Sequence, residues 1–131
     1  MHFIVIASAI LLLDQVSKQW VLGGHSPFTV SFNEGVAFSL PITGTLAIVI
    51  ATLLTVLLAF SCFRFFRPVP LRDLIFGLII GGALSNLLDR LIFGKVIDFI
   101  QIGNFPSFNL ADSAITVGFF LLIIVLEKIK K

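Results

Sequence analysis

A chain of 131 residues that is 58% hydrophobic and only 12% charged has about half the charge fraction of an ordinary soluble domain, which is about 25%. That leaves too little polar surface to coat a water-soluble fold, and a net charge of +2 gives no broad basic face for nucleic acid. The mean hydropathy of +1.13 places the chain in a membrane, and the length allows one domain, residues 1–131.

A spanning helix needs about 20 apolar residues, and four segments meet or approach that, at about 3–22, 44–63, 71–93 and 110–126. The first lacks a basic leader and stays apolar past Asp14, so it reads as a span and not as a cleaved signal peptide. It carries Asp14, Gln15, Ser17 and Lys18 in its second half. Asp14 and Lys18, spaced i,i+4, can neutralise each other on one helix face. The pair reads as an ion pair that orders the helix, with direct substrate contact as the alternative.

The connection 23–43 has no Lys or Arg. Within it Phe28-Thr-Val-Ser-Phe32 alternates like a strand and Asn33-Glu-Gly35 reads as a turn. The second span holds Cys62, the only cysteine, so no disulfide can form within the chain. Arg64, Arg67 and Arg72 flank the connection to the third span. There Gly77, Gly81 and Ser85 recur every four residues, a face for close helix packing. Asn86, Asp89 and Arg90 share one face further on. They either pin helices together or bind a ligand, with Asn86 and Arg90 holding peptide carbonyls. The side chains of Asp89 and Arg90 diverge, so each should pair elsewhere.

Between the third and fourth spans lie Lys95 and the short β-favouring run Val96-Ile-Asp-Phe-Ile100. Asn109 and Asp112 then stand as N-cap and third residue of the last helix, positions favoured by the free N–H groups and the dipole. That span is slightly short and is expected to extend. Lys128, Lys130 and Lys131 end the chain. By the positive-inside rule both termini and the middle connection face the cytoplasm. Asp14, Asp89, Asp98 and Asp112 then all fall toward the outer surface.

Each ionisable residue in a span costs about 2.5–3.5 kcal/mol on insertion scales, so these aspartates mark a functional site. Capping accounts for Asp112 but not for Asp98, set between Ile97 and Phe99. Pairing the two resolves this, because neighbouring carboxylates share a proton. One acts as general base on water, and the other polarises a peptide carbonyl and protonates the leaving amine. The helix dipole and Asn109 favour an ionised Asp112, and apolar flanks favour a protonated Asp98. His2 and His25 fit no metal-ligand spacing, Ser17 and Ser113 lack a free lysine partner, and no glycine-rich phosphate loop is present. Neither a metal nor a cofactor is implied. The competing classes are a small proton- or ion-coupled membrane transport subunit and a structural subunit whose polar face binds a partner.

Five blocks in order resemble the bacterial lipoprotein signal peptidases, or signal peptidase II. They are Leu13-Asp-Gln-Val-Ser-Lys18, Asn33-Glu-Gly-Val-Ala-Phe38, Gly81-Gly-Ala-Leu-Ser-Asn-Leu-Leu-Asp-Arg90, Val96-Ile-Asp-Phe99 and Phe108-Asn-Leu-Ala-Asp-Ser-Ala-Ile115. The resemblance implies an all-α integral membrane protein of four transmembrane helices with a small extracytoplasmic β-element and a mobile outer loop. It implies an aspartic endopeptidase of the bacterial inner membrane that removes signal peptides from diacylglyceryl-modified prolipoproteins, cutting before the lipidated cysteine. It makes Asp98 and Asp112 the catalytic pair and places Asn33, Asn86, Arg90 and Asn109 around substrate and the inhibitor globomycin. Asp14, Lys18, Gly35 and Asp89 are supporting positions. The implied partners are the prolipoprotein and membrane lipids, without nucleic acid, and the enzyme is expected to be a monomer. The stretches after Leu22 and between Asp98 and Asp112 are shorter than the family pattern, and Val36 and Ser85 stand where smaller residues are expected.

Overall fold

The computed structural model describes residues 2–34, 44–65 and 71–129. Gly35 and Val36, together with Arg67, Lys130 and Lys131, lie outside the described residues. Four α-helices and two short strands follow one another as α1 His2–Leu22, β1 Ser31–Asn33, α2 Gly44–Phe65, α3 Arg72–Phe93, β2 Val96–Asp98 and α4 Leu110–Ile129. Among the described residues α1, α3 and the segment Leu110–Lys128 are long and apolar enough to cross a membrane. α2 is 22 residues long and has no charge before Arg64. At 1.5 Å per residue it reaches about 33 Å, the thickness of a bilayer core.

The burial pattern of α1 is inverted relative to a soluble helix. Leu12, Leu13 and Val16 are 60%, 60% and 65% exposed, whereas Asp14 and Lys18 are both 0% exposed. Such a helix turns its leucines to lipid and its charges to its neighbours. Ala7, Asp14, Lys18 and Val21 form its buried stripe, which packs on α3.

Glycines set the closeness of that packing. A Cβ on Gly81 would stand 2.6 Å from the backbone oxygen of Ala7, and one on Gly82 would stand 2.5 Å from that of Ala111. α3 therefore touches the backbones of α1 and α4 on two sides and is the central helix, with Ile75, Phe76, Ile79, Ile80 and Val125 as the apolar core. The expected small-residue face at Gly77 and Gly81 lies at this α1–α3 contact.

α3 ends at Gly94, whose φ of 71° and N–H bond to the Arg90 carbonyl form a left-handed cap. The chain reverses there into β2, which pairs antiparallel with β1 in the register Ser31↔Asp98, Phe32↔Ile97 and Asn33↔Val96. The strand expected over 28–32 is thus found at Ser31–Asn33. The reason is the partner: β2 offers pairing edges only from Val96 to Asp98, so alternation at Phe28 has nothing to bond. Lys95 lies 3.9 Å over the Phe32 ring, a cation–π contact across the pair. Beyond β2, Ile100 and Phe108 exchange backbone bonds of 2.9 and 3.0 Å, closing a loop that delivers Asn109 beside Asp98.

Candidate active site

Asp98 and Asp112 arrive from different elements, one from the end of β2 and the other from the first turn of α4. Asn109 Nδ2 donates to Asp98 Oδ1 at 2.8 Å, while Asn86 Nδ2 donates to Asp112 Oδ1 at 2.7 Å. The two amides are joined by Asn109 Nδ2 to Asn86 Oδ1 at 3.1 Å. Two asparagines therefore link the carboxylates in one chain of hydrogen bonds. Asp98 is 2% exposed and Asp112 half-buried.

The start of α4 is a reciprocal cap. The Asp112 N–H donates to Asn109 Oδ1 at 2.8 Å, and the Asn109 N–H donates to Asp112 Oδ2 at 3.3 Å. Helix N-terminal N–H groups around Asp112 favour its charged form. Asp98 has no helix terminus of its own. Burial pushes its pKa up to about 7, and the Asp112 charge pushes the same way, against hydrogen bonds from Asn33 and Asn109 and the charge of Lys18. Asn33 sits on β1 two pairs along from Asp98, on the same face of the two-stranded sheet.

Behind this pair lies a second, fully buried cluster. Lys18 Nζ contacts Asp14 Oδ2 at 2.5 Å, Asp89 Oδ2 at 2.7 Å and Asn86 Oδ1 at 3.4 Å. The expected Asp14–Lys18 pair is there, and Asp89 is its third member. Arg90 turns the other way, with Nη1 on the Asn86 carbonyl at 3.3 Å, so the two neighbours do diverge. Sequence alone assigns Gln15 no role and Ser85 only a place on the packing face of α3, yet both contribute to this cluster. Ser85 Oγ donates to Asp14 Oδ2 at 2.7 Å, and Gln15 Nε2 donates to Asp89 Oδ1 at 2.7 Å and to Ser85 Oγ at 3.0 Å. Gln15 and Ser85 are polar residues inside apolar spans, and that cost was the available signal.

Four carboxylates and two cations, Lys18 and Arg90, thus share one buried end of the bundle. With every group charged the cluster carries an excess of two negative charges, which a low-dielectric interior opposes. A proton held between Asp98 and Asp112 relieves part of it. A carboxylic acid beside a carboxylate, half open to the exterior, can activate water and polarise a carbonyl at once.

The arrangement is that of a membrane-embedded acid–base hydrolase. The sequence profile of the family described as signal peptidase (SPase) II matches residues 6–128. The chain is similar to the lipoprotein signal peptidase of Syntrophomonas wolfei, with 42% identity over 88% of this chain and 86% of that one. It is also similar to the lipoprotein signal peptidase of Moorella thermoacetica, with 37% identity over 93% and 90%. A solved structure described as a bacterial membrane enzyme superimposes with a TM-score of 0.82 at 29% identity, covering 96% of this chain and 87% of that one. The chain belongs to the signal peptidase II family and is a peptidase of the membrane.

Proposed function

We propose that this chain removes signal peptides from diacylglyceryl-modified prolipoproteins, cutting before the lipidated cysteine, with Asp98 and Asp112 as its catalytic pair. The observation that carries the assignment is the hydrogen-bonded chain from Asp98 through Asn109 and Asn86 to Asp112. Asp98 is the acid and Asp112 the base. Asp112 takes a proton from water as the water oxygen attacks the scissile carbonyl, and Asp98 donates its proton to the carbonyl oxygen. Collapse of the tetrahedral intermediate breaks the C–N bond. The proton gained by Asp112 passes to the leaving amine, and the gem-diol returns one to Asp98, which restores the starting state.

Asn33 and Arg90 are proposed to hold the peptide on either side of the pair. Asn86 and Asn109 contact it while orienting the carboxylates. The same four residues form the globomycin site, and Gly35, two residues after Asn33 in the sequence, is a supporting position. Membrane lipid surrounds a monomer.

The site end of the bundle is assigned to the outer leaflet and both termini to the cytoplasm. α1 between His2 and Asp14, α3 between Asp73 and Asp89, and α4 between Asp112 and Glu127 carry no ionisable residue. The cluster is therefore confined to one end, opposite Arg72 and Lys128. A transport path would need polar groups through the middle of the bundle, and this confinement disfavours it.

The test is incubation of the purified protein with a diacylglyceryl prolipoprotein, followed by mass spectrometry of the product. The expected product begins at the lipidated cysteine, and globomycin abolishes it. An uncut substrate, or a cut elsewhere, rejects the reading.

A further inference from the structure

The buried cluster behind the catalytic pair has a symmetry of function. Asp14 Oδ1 accepts the N–H of Ala111 at 3.0 Å, the residue before Asp112. Asp89 Oδ2 accepts the N–H of Ile97 at 3.1 Å, the residue before Asp98. Each catalytic aspartate is thus preceded by a backbone N–H held by a buried carboxylate. The two carboxylates are joined directly through Lys18, which is 0% exposed, and more remotely through Ser85 and Gln15. The third contact of Lys18 is Asn86 Oδ1, on the amide whose Nδ2 holds Asp112. One ammonium, with three protons and three acceptors, reaches both anchors and the bridge between the catalytic groups.

We propose that Lys18 is a positioning residue for catalysis: it sets the separation of Asp98 and Asp112, and its charge sets the pH window in which that pair is singly protonated. The inference rests on Asp98 and Asp112 being the catalytic pair. Its geometric half follows from the anchors. Moving Lys18 releases the peptide units before both aspartates at once, and a displacement of about 1 Å can cost about 100-fold in rate. Its electrostatic half follows from the charges that face the pair. α1 contributes Asp14 and Lys18, and α3 contributes Asp89 and Arg90. β1 contributes only uncharged Asn33, with Glu34 exposed beyond it, and residues 44–63 of α2 hold no acidic or basic side chain. Apart from Arg90, Lys18 is the positive charge that offsets these carboxylates.

The experiment compares pH profiles of kcat/KM for wild type, Asp89→Asn and the double variant Asp89→Asn with Lys18→Met. Asparagine still offers an oxygen to the Ile97 N–H. Asp14 keeps the Ala111 N–H and the Ser85 hydroxyl when Lys18 is lost, and the two substitutions remove one charge of each sign. The double variant therefore has the net charge of wild type. Asp89→Asn is expected to move the alkaline midpoint down by about one unit, and adding Lys18→Met is expected to move it back up by about as much. The double variant should recover the midpoint but not the rate, with kcat down about 100-fold and KM nearly unchanged. Midpoints equal in all three proteins, or a full recovery of kcat, would overturn the proposal. If activity is too low to profile, the infrared band of the protonated Asp98 carboxyl, identified by its loss in Asp98→Asn, reads the same midpoints directly. Persistent cleavage by Asp98→Asn or Asp112→Asn would instead remove the catalytic assignment on which the inference stands.

Discussion

Asn109 shows how much one side chain can carry. It caps α4 with Oδ1 and shares its two amide protons among Asp98, Asn86 and the Ile97 carbonyl. Asn109→Ala removes the cap, worth about 1 kcal/mol, and takes one donor each from Asp98 and Asn86, leaving them Asn33 and Lys18. The expected result is a kcat about 100-fold lower with a modest fall in the unfolding midpoint, measured by single-turnover cleavage and thermal unfolding in detergent. Asp98 has the opposite balance. An unfolded aspartate titrates near 3.9, while burial first and the Asp112 charge second raise Asp98 to about 7. Between those values the folded state holds a proton that the unfolded chain has released. Stability therefore falls as pH rises through this window, and the cost is complete above it. Asp98→Asn removes the ionisation. It is expected to be more stable than wild type above pH 7 by about 1–3 kcal/mol, and an unfolding midpoint at or below that of wild type would contradict the burial cost. The alkaline limb of kcat/KM should have its midpoint near the Asp98 value of about 7, because the acid of the pair is lost there.

At the scale of elements, two glycines distinguish packing from backbone conformation. At Gly81 a methyl group would meet the Ala7 backbone, whereas at Gly94 it would meet nothing within 4 Å and the obstacle is a φ of +71°. Gly81→Ala should force α1 from α3, pulling Lys18 and Asp14 away from Asp89 and Ser85, and activity should fall with stability. Gly94→Ala should cost about 1–2 kcal/mol for the left-handed conformation and leave cleavage at moderate temperature nearly intact. Equal losses in the two variants would refute the distinction. The helices were legible in the sequence because a membrane span announces itself by length. The Asn109–Asp112 cap was legible because its spacing is local, as was the i,i+4 pair of Asp14 and Lys18. Asp89 as the third partner of Lys18 was not legible, nor was Gln15 on Ser85. Those contacts join residues about 70 positions apart and depend on how closely Gly81 lets two helices approach. The strand expected over 28–32 starts three residues later and ends one later, at Ser31–Asn33, because its register belongs to β2 and not to its own alternation.

For the whole molecule, the apolar surface faces lipid, and among the described residues every buried charge lies at one end. Ile102, 65% exposed, sits in the loop that joins Asp98 to Asp112, and Lys128 lies at the far end of α4. With Cys62→Ser as background, Ile102→Cys is expected to react with a membrane-impermeant thiol reagent applied to intact spheroplasts, and Lys128→Cys only after lysis. The reverse pattern would invert the assigned orientation. The central claim is that two carboxylates at this end perform the cleavage. It is tested most directly by incubating a diacylglyceryl prolipoprotein with purified wild type, Asp98→Asn and Asp112→Asn, each confirmed to be folded by thermal unfolding. Cleavage by wild type and none by either variant is the predicted result. An inert wild type, or a folded variant that still cuts at the lipidated cysteine, would contradict it.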